Sequence, residues 1–258
     1  AASYGKVAYQ TAYMKANYPV EYLTAVLTAD SGDTESIAVF VAEAKRMGIP
    51  VLPPDVNESG SVFTVAGENK DSIRFGLSSI KNFGEGISEA IISERKANGP
   101  FASLSEFLSR VGSKNLNRKS LESLIKCGAL DSISPALHKR GTLLENIDTL
   151  LAFHRDATAV APQDSLFGAL MAPPPLTLPD GKPISLSEKL AWEKELLGIY
   201  VSGHPLDAHE AITKKASLSI AKIKAEPQTG QLVILPVLVS VVRAILTKSG
   251  EKMASHRR

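Results

Sequence analysis

The stretch that decides how this chain is read runs Leu77-Ser78-Ser79-Ile80-Lys81-Asn82-Phe83-Gly84-Glu85-Gly86 and continues from Ile87 to Ala97. An apolar helical turn, Leu77 to Ile80, enters a tight turn with glycine at two alternate positions, and a new helix follows. Gly84 and Gly86 permit positive φ and a close approach of the backbone. The first-turn N–H groups of the Ile87 helix have no partner within the helix and lie at the positive end of its dipole. Such a helix start binds phosphate whatever the phosphate is attached to. Lys81 adds a cation beside it. Spacing alone equally allows a tight helix–helix turn whose glycines serve only packing.

The charges downstream separate the two readings. Arg110, Lys114, Arg118, Lys119 and Lys126 are expected to face a single acidic neighbour, Glu122. A charge run is most often a solvated face. Beside a phosphate-type turn, a shared DNA surface is the better reading. A second helix–turn, from Leu116-Asn117-Arg118-Lys119-Ser120-Leu121 to Lys126-Cys127-Gly128-Ala129-Leu130, is placed to pair with the first.

Composition frames these motifs. A chain of 258 residues accommodates one large domain or two to three small ones, and 44% hydrophobic with 22% charged residues suits a globular protein. With a net charge of +2, affinity for nucleic acid has to come from local clustering rather than a global field. The single cysteine, Cys127, excludes an internal disulfide framework and fits a reducing cytoplasm. No run of about 18 apolar residues and no basic-then-apolar leader is present, so the expectation is a soluble, intracellular protein without membrane contact. Ala1-Ala2-Ser3-Tyr4 starts inside a helical pattern and Ser255-His256-Arg257-Arg258 follows a strand-like run, which reads as a fragment.

Along the chain the pattern is mainly α with small β elements (α+β). Residues 1 to about 48 read as three helices, the first stopped by Pro19, the second starting at Val20, the third capped by Asp33 and closed by Gly48. Ile49 to Asn57, with Pro50, Pro53 and Pro54, reads as extended. Ser61–Ala66 and Ile73–Leu77, around a polar Gly67-to-Asp71 turn, read as a β-hairpin. Helical pattern returns to about Thr158. Residues 159–185 hold six prolines and two glycines and read as a linker. A helix from Leu186 to Tyr200 precedes the turn Ser202-Gly203-His204-Pro205 and a further short helix. Leu232 to Leu246 and Lys252 to Ala254, around Thr247–Glu251, look like the first strands of a small, incomplete β-barrel.

Two weaker binding candidates remain. Gln163-Asp164-Ser165-Leu166-Phe167 places two large apolar residues in the proline-rich stretch, where they dock either into a partner's pocket or back onto a neighbouring domain, the latter favoured by composition alone. In the opening helix Tyr4, Lys6, Tyr9, Gln10, Tyr13 and Lys15 crowd together, as a base-stacking surface or an ordinary helix face. No metal-ligand spacing, nucleophile elbow or P-loop occurs, and Asp30 and Asp33 read as capping residues, so no catalytic site is expected.

In this order, the motifs resemble the bacterial DNA polymerase III alpha-subunit family. Ala1-Ala2-Ser3-Tyr4 through Tyr18-Pro19, and Lys45-Arg46-Met47-Gly48 through Asp55-Val56-Asn57, look like its fingers domain. Phe75-Gly76-Leu77 through Gly86, continued by Leu116 to Asp131, is similar to its helix-hairpin-helix, which grips the duplex behind the active site. Leu196-Leu197-Gly198-Ile199-Tyr200-Val201-Ser202-Gly203-His204-Pro205-Leu206 looks like the stretch before its OB-fold. The resemblance implies a fingers part over 1–60, a duplex-binding helix-hairpin-helix domain over 61–158, a linker over 159–185, connecting helices over 186–216 and the start of an OB-fold over 217–258. It implies DNA contacts at Lys81, Asn82, Phe83, Gly84, Glu85, Gly86, Lys114, Arg118 and Lys119. It favours Gln163, Asp164, Ser165, Leu166 and Phe167 as a sliding-clamp peptide of the form Gln-x-x-Leu/Met-Phe, and it brings Tyr4 near the incoming nucleotide. The implied partners are primer-template duplex, the sliding clamp and other holoenzyme subunits, in the cytoplasm at the nucleoid. The implied activity is DNA-directed DNA polymerisation by the parent chain, with Mg²⁺ on palm aspartates preceding Ala1 and no cofactor or activity in the fragment alone. The competing reading is a non-catalytic helix-hairpin-helix repair or recombination factor.

Overall fold

Proline and short polar side chains set the first three helices. A computed structural model describes residues 2–112, 116–134, 140–159 and 176–209, scattered positions between 223 and 238, and the strands at 241–246 and 252–257. Helix α1 (Ala2–Asn17) stops one residue short of Tyr18, and Pro19 opens α2 (Pro19–Ala29), where its missing N–H costs nothing. Asp33 accepts the Glu35 N–H at 2.9 Å and starts α3 (Thr34–Arg46), and Gly48 takes φ 77° just beyond it. The cap and the stop both agree with the sequence reading.

The expected hairpin forms, as β2 (Thr64–Ala66) antiparallel to β3 (Ser72–Arg74), with Val65 opposite Ile73. The proline-rich crossing also contributes a short strand, β1 (Val51–Leu52), parallel to β3, so the sheet has three strands in the order β1-β3-β2. Phe63 and Phe75 pack at 4.5 Å between ring centroids, linking the loop before β2 to the end of β3.

Beyond the sheet, α4 (Glu85–Asn98), α5 (Leu104–Arg110), α6 (Arg118–Cys127), α7 (Arg140–Glu145), α8 (Ile147–Ala159) and α9 (Leu186–Leu197) complete the first compact unit, residues 1–201. Helix α6 lies at its centre, against α7, α8 and α9, and buries Leu121, Leu124, Ile125 and Cys127. Phe101 and Phe107 meet edge to face at 5.2 Å under α5, which packs on α8. Helix α1 is different. None of its residues is buried, and its tie to α3 is the Lys15–Glu43 ion pair at 2.8 Å.

The described end of the stretch expected as a linker is held down rather than free. Gly181 N–H donates to Thr142 Oγ1, Lys182 N–H donates to a Glu145 carboxylate oxygen, and Asn146 Nδ2 donates to the Pro179 carbonyl. Leu176 and Leu178 also pack against the core. Residues 160–175, which include the whole Gln163–Phe167 peptide, lie outside the described residues, as do Ser113, Lys114 and Asn115.

The second unit, residues 202–258, contains the turn before a 3₁₀ segment at Pro205–His209, where Asp207 accepts the His204 N–H at 2.6 Å. Its strands β4 (Val241–Leu246) and β5 (Lys252–Arg257) pair antiparallel, from Val241 opposite Arg257 to Leu246 opposite Lys252. Strand β5 therefore continues through Ser255, His256 and Arg257, past Ala254 where the apolar pattern stops. Ladder hydrogen bonding carries it there without an apolar side-chain signal. Among the described residues no helix is long and apolar enough to cross a membrane.

Candidate nucleic-acid interface

The turn at the centre of the sequence reading is built by backbone hydrogen bonds at both ends. A 3₁₀ segment, Leu77–Ser79, leads in, and Phe83 N–H donates to the Ile80 carbonyl at 3.1 Å to close a four-residue turn. Asn82 is its third residue and takes φ 66°, the position at which such turns require a left-handed residue. Asparagine is among the few non-glycine residues that tolerate it. This corrects the expectation for the glycines. Gly84 has φ −79° and ψ 155°, ordinary extended backbone, and Gly86 lies inside α4.

Phe83 is buried at 6% exposure, whereas Lys81, Asn82, Gly84, Glu85 and Gly86 are exposed. Its ring anchors the turn in the core and presents no side chain to a ligand. The Lys81 N–H donates to the Leu196 carbonyl of α9 at 3.0 Å, so the turn is braced from behind by a helix more than a hundred positions away. The Lys81 side chain makes no ion pair among the described residues.

The start of α4 is bare. Helices α3, α5, α6 and α9 have side-chain caps from Asp33, Ser103, Asn117 and Ser185, but the residue capping α4 is Gly84, which has no side chain. The first intrahelical bond is Ser88 N–H to the Gly84 carbonyl at 3.3 Å, which leaves the N–H groups of Glu85, Gly86 and Ile87 ahead of it. A Cβ on Gly84 would meet no atom within 4 Å. Neither backbone conformation nor packing requires glycine here. What glycine does is keep the space in front of that first turn open.

The second helix–turn is organised in the opposite way. Asn117 and Ser120 form a reciprocal capping box at the start of α6, with bonds of 3.0 and 2.9 Å, so the Ser120 and Asn117 N–H groups are satisfied internally. What it offers is side chains. Arg118 and Lys119 are exposed, and Lys119 makes no ion pair among the described residues. At the far end Gly128 takes φ 82° in the left-handed region and closes the helix.

The basic set is less free than its spacing suggested. Arg110 is held by Glu94 at 3.0 Å and Glu106 at 2.5 Å and stacks 4.6 Å from the Phe101 ring. Arg118 pairs with Glu122 at 3.1 Å and with Asp148 at 2.6 Å, and Lys126 lies 3.7 Å from Glu122. Three carboxylates beyond Glu122 therefore enter, brought in by packing of α4 and α8 and by the turn of α5. Arg110 is a structural bracket, and among the described residues Lys81, Arg118 and Lys119 remain as the exposed cations of the expected set.

Beside Arg118 a cleft of about 360 Å³ opens between α6 and α8, lined by Asn117, Arg118, Asp148, His154 and Arg155 among others. The His154 ring is buried, with Nδ1 2.7 Å from the Leu108 carbonyl. Neither Asp148 nor Arg155 stands out in the sequence, because both lie about thirty positions from α6 on a different helix. Tyr4 is 83% exposed on α1, away from any pocket described, and Lys114 and Gln163–Phe167 lie outside the described residues. No three His, Cys, Asp or Glu side chains come together as metal ligands among the described residues.

A tight, core-anchored turn leading into an uncapped helix, followed by a second capped helix–turn, is the arrangement of a helix-hairpin-helix protein. The family model of the helix-hairpin-helix motif matches residues 48–141, a span that includes both turns. The relatives are more specific. The chain is 40% identical, over 98% of its length, to the DNA polymerase III subunit alpha of Thermus aquaticus. It is 40% identical over the same share to those of Deinococcus radiodurans and Borreliella burgdorferi. Nearly the whole chain is thus similar to a stretch of DNA polymerase III alpha subunits, and it spans about a fifth of the length of these relatives.

Proposed function

We propose that this stretch holds duplex DNA by its phosphates on behalf of a replicative DNA polymerase, and that it tethers that polymerase to a sliding clamp. The observation that carries the first part is the exposed, uncapped start of α4 beside Lys81. Two exposed first-turn N–H groups, at Glu85 and Gly86, can donate to one phosphate oxygen each, and Lys81 can neutralise the charge. Glu85 opposes this electrostatically, so the grip depends on backbone donors held in place rather than on a strongly positive field. Arg118 and Lys119 extend the same contact. None of these groups reads a base edge, which suits an enzyme that has to traverse every sequence.

The clamp contact is carried by Gln163, Leu166 and Phe167, and the strands at β4 and β5 belong to the start of an OB-type barrel. DNA-directed DNA polymerisation and its Mg²⁺ requirement belong to the whole subunit, on palm aspartates that this stretch does not supply. The setting is the bacterial cytoplasm, with the other replisome subunits as partners.

The test replaces Gly84 with leucine. Because a Cβ at 84 meets no atom within 4 Å and the backbone there is ordinary, the variant should fold, which circular dichroism verifies. Its affinity for a fluorescent duplex should fall on the order of tenfold, the effect of losing roughly one charge-assisted contact pair. Unchanged affinity in the folded variant rules out the α4 start as the phosphate site.

A further inference from the structure

Arg118 reaches solvent with two of its three nitrogens already engaged. Nε donates to Glu122 Oε1 at 3.1 Å and Nη1 donates to Asp148 Oδ1 at 2.6 Å. A guanidinium presents two forks to an oxyanion, Nε with Nη2 and Nη1 with Nη2, and bidentate binding uses one complete fork. Here each fork has one of its two donors committed to a carboxylate. A phosphate can reach Arg118 through Nη2 alone, or it can displace one carboxylate and take a fork.

The two carboxylates are not equally held. Glu122 lies one turn along the same helix, is 31% exposed, and is shared with Lys126. Asp148 comes from the first turn of α8, is 81% exposed, and pairs with no other cation among the described residues. An exposed pair in water is weak and screened by salt. Asp148 is the one that gives way. It also lines the cleft that contains Arg118 and Arg155, so its departure frees a fork of Arg118 on the side where a second guanidinium stands.

Resting on the duplex-binding reading above, we propose that Asp148 is a built-in competitor for Arg118, and that the cleft between α6 and α8 takes a backbone phosphate of the bound duplex when that phosphate displaces it. Arg155 is the second cation of this site. Exchange of an internal carboxylate for an external phosphate lowers the net gain from each encounter. Weak, off-register contact with DNA is thereby discouraged relative to a duplex already held at α4.

The experiment is a double-mutant cycle on the whole chain, reading duplex affinity by fluorescence anisotropy over a salt series. Asp148→Asn should tighten binding roughly three- to tenfold at low salt and leave the slope of log K against log salt nearly unchanged, because the same phosphate is contacted with and without the competitor. In an Arg118→Gln background the same substitution should change affinity by less than about twofold. Equal tightening in both backgrounds overturns the proposal, because Asp148 then acts only as general negative charge. Weaker binding by Asp148→Asn also overturns it, since the carboxylate would then be positioning Arg118. A second measurement follows the Arg118 Nε–H resonance during titration with pyrophosphate, which should need several-fold less pyrophosphate in Asp148→Asn. If the unaltered chain fails to bind duplex, the duplex reading falls, and this titration still decides the exchange at Arg118.

Discussion

At Cys127 and Gly128 two adjacent residues show how one helix end constrains chemistry and packing together. Gly128 adopts φ 82°, and a Cβ there would overlap Nη2 of Arg140. That guanidinium is only 10% exposed and is engaged by Asp131 and by the Lys126 carbonyl, so it has little room to retreat. Cys127, one position earlier, is buried, and burial pushes its thiol up to about 12. The thiolate is the reactive form, so the folded protein should resist alkylation at neutral pH and label only when denaturant opens α6. The sign of the stability effect follows from the shift. The thiol is protonated in both states below its ordinary value of 9.0, and above it the unfolded chain ionises while the folded chain does not. Stability should therefore decline as pH rises from about 9 towards about 12, and urea midpoints should show a flatter decline for Cys127→Ala. An identical pH profile for the two proteins would show that the thiol ionises as readily in the fold as outside it.

Among the helices, the contrast between α4 and α6 separates what is optimised for stability from what is left open. Asn117 caps α6 by accepting the Ser120 N–H at 3.0 Å. Asn117→Ala should cost about 1 kcal/mol, read as a lower urea midpoint at unchanged slope. Gly84→Ser, by contrast, should gain a few tenths of a kcal/mol at most by capping α4, while weakening duplex binding. A stabilised variant that binds duplex as before would mean that the bare start of α4 has no ligand. These local signals were readable without a structure. The Asp33 cap, the Gly48 stop and the β2–β3 hairpin depend on a few neighbouring residues, and each formed where the sequence placed it. The errors share a cause. Strand β1 pairs in parallel with residues more than twenty positions away, and Glu94 and Asp148 reach Arg110 and Arg118 only through helix packing. Phe83 looked like part of an exposed motif because burial of one ring in a polar turn leaves no periodic trace. Asn82 rather than a glycine took the left-handed position, because asparagine can do so and the turn needs only one such residue.

For the whole molecule, the order of the parts matters more than any single contact. Helix α8 ends at Ala159 on the same compact unit that carries the α4 start, and the chain packs on the core of that unit again from Leu176 onward. The proposed clamp peptide, Gln163 to Phe167, falls between these two anchors. A clamp captured there is held at an effective concentration set by the short connecting segments rather than by a long free tail. Duplex grip and clamp capture are then separate attachments that reinforce each other on DNA, and substitutions should divide them cleanly. Changing Leu166 and Phe167 together to alanine should abolish capture by an immobilised sliding clamp, since the two apolar side chains supply the buried anchor, and should leave duplex affinity within about twofold. Gly84→Leu should do the reverse, losing duplex affinity while the clamp still retains the chain. With a clamp loaded on DNA, the unaltered chain should bind more tightly than either affinity alone predicts, and both variants should lose that excess. Full clamp capture by the Leu166 and Phe167 variant would return those side chains to a packing role and leave the duplex grip as the attachment to DNA proposed for this chain.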